Sequence, residues 1–335
     1  MRYLFLSCGT STEINEQLAA SFCIDQLGYS ASASNRALYK EHTNTHLSLH
    51  YQDLHDASAE RQSPFSQNNK FSVLLDGQIY NLDSVSAEFA GRVQQADGTG
   101  TADAIFVLYQ AHGMTFLDKL QGRFALMFID HVAETVVLYR SSLGQVPLYY
   151  HASSERIIAS SEERAIVAHP AVGIDANVLM LASVFSLNSS HPVGQTAFTQ
   201  VSELLPGECL VWTKGVIEQW RTPLSLGLST ISYRSDQEYA DHYRDILERM
   251  VSRCLFESGK VGVMLSSGID SAPAAAIAAK QLKRSGRILT AYSWSLAGFD
   301  IADESRQIQQ VADFANIPLQ LIPAIDRWPL YNRDN

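Results

Sequence analysis

The chain has 335 residues, of which 46% are hydrophobic and 18% are charged, and its formal net charge is −10. This length suffices for two domains with separate hydrophobic cores. The negative charge, without a basic tract to offset it, argues against a nucleic-acid partner. No hydrophobic run reaches the about 20 residues of a membrane-spanning helix, so we expect no association with a membrane. The four cysteines show neither zinc-site spacing nor a disulfide framework, which indicates a reducing cytoplasm.

Up to residue 220, short hydrophobic segments alternate with turns and a few helices. The segment 71–75 is predicted to be a strand that ends in a turn at Asp76-Gly77. Helical spacing predicts a helix over 102–112, and paired buried strands are predicted at 124–129 and 135–139. A strand-rich region of this kind predicts stacked antiparallel sheets with flanking helices.

The second part of the chain has a different pattern. Ser, Thr, Gly and Pro dominate a predicted linker, and Asp236 to Cys254 has the spacing of a long amphipathic helix. A strand, a helix, a strand, a helix and a strand then follow at 261–265, 272–284, 288–294, 303–316 and 318–322. Strict alternation predicts a parallel α/β sheet. We therefore predict a first domain over 1–222, a linker over 223–235 and a second domain over 236–335.

A polar loop separates the first strand of this alternating region from the first helix. The loop follows Leu265 and consists of Ser266, Ser267, Gly268, Ile269, Asp270 and Ser271. Backbone N–H groups of such a loop, together with those at the start of the helix, form an anion site. The three serine hydroxyls add donors, and Asp270 can hold a metal that neutralises phosphate charge. The loop is therefore predicted to bind a nucleotide phosphate; the alternative is a plain strand-to-helix turn in which Asp270 caps the helix.

The loop resembles the Ser-Gly-Gly-x-Asp-Ser pyrophosphate loop of ATP pyrophosphatases, and segments upstream narrow the resemblance to the asparagine synthetase family. These segments follow the family's order and are Asp76-Gly77-Gln78-Ile79-Tyr80-Asn81, Leu120-Gln121-Gly122-Arg123-Phe124-Ala125, Arg140 to Tyr149, Leu205-Pro206-Gly207 and Gln219-Trp220-Arg221-Thr222-Pro223. Because several separate segments occur in the same order, the resemblance is far more specific than the loop alone. It covers residues 70–330.

The resemblance implies an α+β four-layer sandwich of the N-terminal nucleophile hydrolase type, followed by the start of an α/β parallel-sheet ATP-pyrophosphatase domain. It implies that Leu265 and residues 266–271 bind ATP, that Asp270 holds Mg²⁺, and that the backbone of Ser293 meets adenine; an ordinary strand serine is the alternative for Ser293. The implied reaction adenylates a carboxylate with MgATP, releases pyrophosphate, and lets ammonia or an amine attack the acyl-adenylate.

The first domain departs from the family's glutaminase at several positions. Arg2 stands where the family has its catalytic cysteine, and the nearest thiol, Cys8, is expected to be a small buried residue. Asp76 replaces an Asn that donates to the oxyanion, and its carboxylate would repel developing negative charge. His46 stands in place of an Arg that binds the glutamine carboxylate, and Thr101 in place of an acid. We expect glutamine hydrolysis to be lost.

The second domain departs at Ser267, which replaces the loop's second glycine, so ATP binding is expected to survive in weakened form. The chain ends at Asn335, before the family's second magnesium carboxylate and most of its acceptor pocket. We expect either a second polypeptide that completes the domain or a chain without catalysis.

The substrate class stays open between two kinds of enzyme. Asp303, Glu304 and the ending 325–330 favour relatives in which the attacking amine belongs to the substrate, such as lasso-peptide cyclases and β-lactam synthetases. Asp303 and Glu304 also suit the positive end of the helix dipole, which is the structural alternative for these two residues. Three hypotheses remain: an amide synthetase that uses ammonia or an amine, a natural-product cyclase of the kinds named, and a protein that binds ATP without turnover.

Overall fold

The structure, a computed structural model, describes residues 2–9, 34–42, 45–53, 65–67, 71–89, 101–186, 192–222, 230–255, 260–296 and 303–324. Contacts divide the chain into two compact units, Met1–Gly227 and Leu228–Asn335. Each unit has hydrophobic core clusters of its own. Among the described helices, none is long and hydrophobic enough to cross a membrane.

The described strands of the first unit form two antiparallel sheets. In chain order they are β1 (Arg2–Gly9), β2 (Ser34–His42), β3 (Thr45–Asp53), β4 (Phe65–Gln67), β5 (Phe71–Ile79), β6 (Gly122–Asp130), β7 (Thr135–Arg140), β8 (Tyr149–Ala152), β9 (Arg156–Ser160), β10 (Ser202–Glu203), β11 (Glu208–Thr213) and β12 (Val216–Arg221). The first sheet has the order β10-β8-β9-β1-β3-β2 and the second has the order β12-β11-β7-β6-β5-β4.

Alternation along the strands divides the buried side chains between two faces of each sheet. In β6, Ala125 and Met127 lie in the core between the sheets, together with Cys8 of β1. Phe124 and Leu126 lie on the opposite face, in the core shared with the helices. This division follows from the two-residue period of a strand. Burial of each large hydrophobic side chain contributes about 1.5–3 kcal/mol, so the two faces of β6 both stabilise the unit.

Helices cover the outer faces of the two sheets. The helices of this unit are α1 (Leu82–Phe89), α2 (Thr101–His112), α3 (Glu163–Val167) and α4 (Val178–Phe185). Val85 of α1 and Ile105 of α2 pack on the second sheet. Ile166 of α3 packs on Ile158 of β9 in the first sheet. The order of layers is helix, sheet, sheet, helix, which confirms the predicted four-layer sandwich.

One local prediction is wrong, because Asp76 and Gly77 lie inside β5 and not in a turn. Strand pairing with β6 continues through Gly77 opposite Phe124 as far as Ile79. The φ of Gly77 is +95°, and a Cβ there would lie 1.9 Å from the carbonyl oxygen of Arg123. The Asp-Gly pair therefore does not reverse the chain. It lies where two strands approach closely, and only glycine fits at position 77.

The second unit alternates helices with parallel strands. Its elements are α5 (Asp236–Cys254), β13 (Val261–Met264), α6 (Ser271–Arg284), β14 (Leu289–Ser295), α7 (Ser305–Ala315) and β15 (Leu319–Pro323). The strands form one parallel sheet in the order β13-β14-β15. The predicted alternation and the parallel sheet are confirmed, and each of these elements begins and ends within two residues of its prediction.

Small side chains set the packing of helices on this sheet. Ala275 and Ala278 of α6, and Ala312 of α7, are buried against Ala291 of β14. Alanine combines high helix propensity with little volume, so the helix backbones approach the sheet closely. Asn316 then ends α7 in the left-handed conformation, with a φ of 54°.

Candidate phosphate-binding site

The carboxyl ends of the parallel strands place two loops at one edge of the sheet. The first loop follows β13, and the second follows β14 and leads to α7. In open α/β sheets, ligands bind at this edge. Leu265 anchors the first loop, since it is 3% exposed and its N–H donates to the carbonyl oxygen of Tyr292 at 2.8 Å. The start of the polar segment, at Ser266, is therefore attached to a buried residue that is hydrogen-bonded to β14.

Two of the serines hold the loop in its shape. The hydroxyls of Ser266 and Ser271 lie 2.7 Å apart. The N–H of Ser266 donates to the Ser271 hydroxyl at 3.1 Å, and the N–H of Gly268 donates to the Ser266 hydroxyl at 3.2 Å. Two of the three hydroxyls that were predicted to be donors to phosphate thus bond within the loop. They fold it back on the start of α6.

Backbone donors cluster where the loop enters α6. The first helical hydrogen bond runs from the N–H of Ala272 to the carbonyl oxygen of Gly268, at 3.2 Å. The N–H groups of Ile269, Asp270 and Ser271 therefore precede the ladder of the helix. A Cβ built on Gly268 would meet only the Ser266 hydroxyl, at 3.3 Å, so the backbone there is accessible to a ligand. An anion at this point would meet both N–H groups and the helix dipole.

Asp270 occupies the position before α6 without capping it. It has a φ of −90° and a ψ of −53°, and its side chain makes no capping hydrogen bond. The carboxylate is exposed at the loop and has the oxygen chemistry that Mg²⁺ prefers. The described residues contain no group of three or more His, Cys, Asp or Glu that could hold a metal. Mg²⁺ at Asp270 would accordingly complete its coordination with phosphate oxygens and water, which is its usual mode beside nucleotides.

The second loop reaches the first through Glu304. The Ser267 hydroxyl donates to the Glu304 carboxylate at 2.6 Å. Glu304 precedes α7 but makes no side-chain capping bond, so its carboxylate is directed to the loop and not to its own helix. Sequence reasoning missed this contact. The signal that was present is the serine itself, which stands where the resembling loop has glycine.

Asp303 has a different role from its neighbour. It accepts hydrogen bonds from the Ser305 hydroxyl at 2.5 Å, from the N–H of Leu296 at 3.1 Å and from the N–H of Ser305 at 3.4 Å. These bonds tie the end of β14 to the start of α7. The Ser305 hydroxyl, supported by the two N–H donors, holds the pKa of Asp303 below its ordinary value.

Replacing Asp303 by Asn is expected to remove part of the acid-induced loss of stability of the second unit. Because the pKa is lowered in the folded state, the ionised carboxylate stabilises that state above the unfolded pKa. The contribution is lost as the pH falls below about 4, through the unfolded and then the folded pKa. Calorimetric unfolding at a series of pH values checks this. The matched control is Asp245→Asn on the exposed surface of α5, and parallel curves for wild type and Asp303→Asn would contradict the prediction.

Ser293 lies on the strand beside the loop's own strand. It is 5% exposed and pairs with Leu321 of β15. Tyr292, its neighbour, is the residue whose carbonyl oxygen accepts from Leu265. The fold therefore brings Ser293 close in register to the start of the loop, although its predicted contact with adenine stays a prediction.

The predicted glutaminase positions lie in the first unit. Cys8 is 4% exposed and belongs to the core between the sheets, in register with Leu47 and Ile157. Cys209 is also buried, and desolvation raises the pKa of its thiol. Buried, protonated thiols are poor nucleophiles. The side chains of Arg2, His46 and Thr101 lie outside the described residues.

Both units match families of known proteins. A family model described as a glutamine amidotransferase domain matches residues 33–221, and one described as asparagine synthase matches residues 242–323. The chain is 25% identical over 224 residues to glutamine-hydrolyzing asparagine synthetase 3 of Bacillus subtilis, which covers 66% of this chain and 36% of that protein. It is 22% identical over 332 residues to the amidase chry2 of Gibberella zeae, which covers 94% of this chain and 48% of that protein.

A solved structure, the glutamine phosphoribosylpyrophosphate amidotransferase of Bacillus subtilis, aligns with a TM-score of 0.42 and 13% identity, over 96% of this chain and 81% of that one. The matched stretches span 36% and 48% of the two curated relatives, so the chain corresponds to less than half of each. The amidotransferase model nevertheless covers more than half of this chain, and the synthase model covers the polar loop after β13 and the parallel sheet. The chain belongs to the asparagine synthetase family.

Proposed function

We propose that residues 265–271 bind the phosphates of ATP and that Asp270 holds Mg²⁺ beside them. One observation carries this proposal. The loop of a parallel strand enters α6 with the N–H groups of Ile269, Asp270 and Ser271 ahead of the helical ladder, within the segment that the asparagine synthase model matches. Donors in this arrangement suit phosphate oxygens. The predicted contact of Ser293 with adenine belongs to the same proposal.

The reaction we propose is AMP-forming synthesis of an amide bond. A carboxylate is adenylated at the α-phosphate of ATP, pyrophosphate leaves, and ammonia or an amine displaces AMP. The loop and the first turn of α6 would hold the leaving pyrophosphate through backbone N–H groups, which act most strongly where charge develops. When bound, Mg²⁺ would supply neutralisation of phosphate charge.

Asp270→Asn is expected to weaken the binding of MgATP by about tenfold to a hundredfold, because a bond to a charged partner contributes about 1.5–3 kcal/mol. Isothermal titration calorimetry of the purified chain with ATP and Mg²⁺ measures it. Asp245→Asn, on exposed α5, removes the same charge away from the loop and should bind as the wild type does. A wild-type chain that binds no ATP in the presence of Mg²⁺ would sink the proposal.

We further propose that the first unit does not hydrolyse glutamine. Support comes from Cys8, which is enclosed in the core between the sheets, and from Asp76, whose side chain is a carboxylate where an oxyanion donor is needed. The test is release of ammonia from glutamine by the purified protein, with Cys8→Ala measured beside it. Ammonia release above the level of the variant would overturn this part.

A second candidate follows from the same two residues. Without ammonia from glutamine, the attacking amine has to come from solution or from the substrate itself, as in β-lactam synthetases and lasso-peptide cyclases. Exchange of labelled pyrophosphate into ATP separates the possibilities. Exchange only with a carboxylate substrate that can close a ring through its own amine favours the cyclase. Exchange with a small amino acid such as aspartate favours the amide synthetase, and ATP binding without exchange favours a non-catalytic protein.

A further inference from the structure

The contact between Ser267 and Glu304 joins the phosphate loop to the segment before α7. The two residues are 37 positions apart in the sequence, and the Ser267 hydroxyl donates to the Glu304 carboxylate at 2.6 Å. This short distance is typical of a hydroxyl that donates to an ionised carboxylate. Glu304 is exposed, and this bond directs its carboxylate to the loop. A negative charge is therefore held directly at the loop.

Two carboxylates, those of Glu304 and Asp270, contribute negative charge at the loop. Asp270 contributes a second carboxylate, which does not cap α6. Within the described part of the chain, neither Asp270 nor Glu304 forms an ion pair with a Lys or Arg. The Lys and Arg residues of α6 are Lys280, Lys283 and Arg284, all in the second half of the helix. Among the described residues, the anion site made by the N–H groups thus has two carboxylates beside it that pair with no Lys or Arg.

A phosphate that enters this loop meets Glu304 in two ways. The Ser267 hydroxyl carries one proton, and while that proton is donated to Glu304 it is not available to a phosphate oxygen. A phosphate in contact with the loop also comes within a few ångströms of the carboxylate, and like charges at such distances near a protein surface repel strongly. A divalent cation that accompanies the phosphate removes this repulsion, whereas a metal-free phosphate does not.

We infer that Glu304 makes phosphate binding at the loop depend on a divalent cation, by competing with phosphate for the Ser267 hydroxyl and by repelling phosphate that arrives without metal. Glu304 is on this account a residue that determines specificity for the metal complex of the nucleotide over the free nucleotide. The inference rests on the proposed phosphate site and adds its selectivity. The contact between Ser267 and Glu304 requires the serine hydroxyl, which the glycine of the resembling loop lacks.

Titration with ATP and with inorganic pyrophosphate, each in EDTA and each in saturating Mg²⁺, tests the inference on the purified chain. The readout is the ratio of the dissociation constant in EDTA to that in Mg²⁺. Glu304→Gln keeps an acceptor for the Ser267 hydroxyl and removes the charge. It is expected to narrow this ratio by about tenfold, through tighter binding in EDTA.

The control is Asp313→Asn, which removes one negative charge from the exposed surface of α7, where Asp313 accepts from Gln309. It lies nine positions from Glu304, which is about 13 Å along a helix. Its ratio should equal that of the wild type. A ratio for Glu304→Gln equal to the wild-type ratio, with MgATP bound in both, overturns the inference alone. A wild type that binds neither ligand in Mg²⁺ overturns the proposed function, and the inference with it.

Discussion

Replacing Arg140 by Ala is expected to destabilise the first unit by about 3 kcal/mol or more, because three carbonyl oxygens lose hydrogen bonds to a charged donor. Arg140 ends β7 and is 6% exposed. Its guanidinium donates to the carboxylate of Glu203 at 2.6 Å and to the carbonyl oxygens of Gly144 at 2.6 Å, Leu204 at 2.7 Å and Val146 at 2.9 Å. One side chain thus holds three chain segments together.

The cost arises because three backbone carbonyl oxygens lose the donors that Arg140 supplies. The bonds to the carbonyl oxygens of Val146 and Leu204 are buried, and each buried group left unsatisfied costs about 1–3 kcal/mol. Glu203 is partly exposed, with 32% of its side-chain surface accessible, and regains water. Its contribution to the cost is accordingly smaller than that of a fully buried carboxylate.

Urea unfolding followed by tryptophan fluorescence, to which the fully buried Trp212 of the first unit contributes, measures the change. Arg123→Ala is the matched control, since Arg123 is an exposed arginine on β6, and it should change stability by less than about 0.5 kcal/mol. Equal midpoints for the two variants would show that the bonds of Arg140 do not stabilise the unit.

Replacing Gly77 by Ala is expected to destabilise the first unit by about 3 kcal/mol or more, from overpacking and backbone strain together. Its φ of +95° disfavours any residue with a Cβ, and that Cβ would lie 1.9 Å from the carbonyl oxygen of Arg123. Because this atom belongs to the backbone of β6, relief requires β5 and β6 to separate. The hydrogen bonds of the ladder and the side chains on both faces would be disturbed together.

Gly113→Ala separates the two causes. Gly113 also has a positive φ, +59°, but a Cβ there would meet nothing within 4 Å. Only backbone strain remains, which costs about 1 kcal/mol at such positions. The same urea experiment compares both variants. A Gly77→Ala variant no less stable than Gly113→Ala would mean that β5 and β6 are not packed as closely as described.

The local sequence was sufficient to predict helices and strands whose hydrophobic spacing is visible within a few residues. The helix α5 was predicted from its hydrophobic spacing with its observed bounds, and the structure shows that a capping residue precedes it. Ser235 accepts from the N–H of Glu238, and the Glu238 carboxylate accepts from the N–H of Arg234. The alternation that predicts the parallel sheet is equally local, since each strand and helix carries its own period.

Local chemistry failed where a distant strand decided the outcome. Asp76-Gly77 has the composition of a tight turn, and the same residues suit a strand in which glycine allows a neighbour to approach. Pairing with β6, more than forty residues later in the chain, selected the second structure. The turn prediction was wrong because strand pairing is a non-local interaction that a window of sequence does not contain.

By itself, the sequence determined the four-layer arrangement of the first unit, the parallel sheet of the second, the polar loop between β13 and α6 and membership of the asparagine synthetase family. Only the tertiary structure decided what the side chains of that loop contact. It directs the hydroxyls of Ser266 and Ser271 to each other and that of Ser267 to Glu304. The reason is physical: periodicity and capping act over one or two turns, whereas a hydrogen bond between two loops depends on how parallel strands bring their carboxyl ends to one edge.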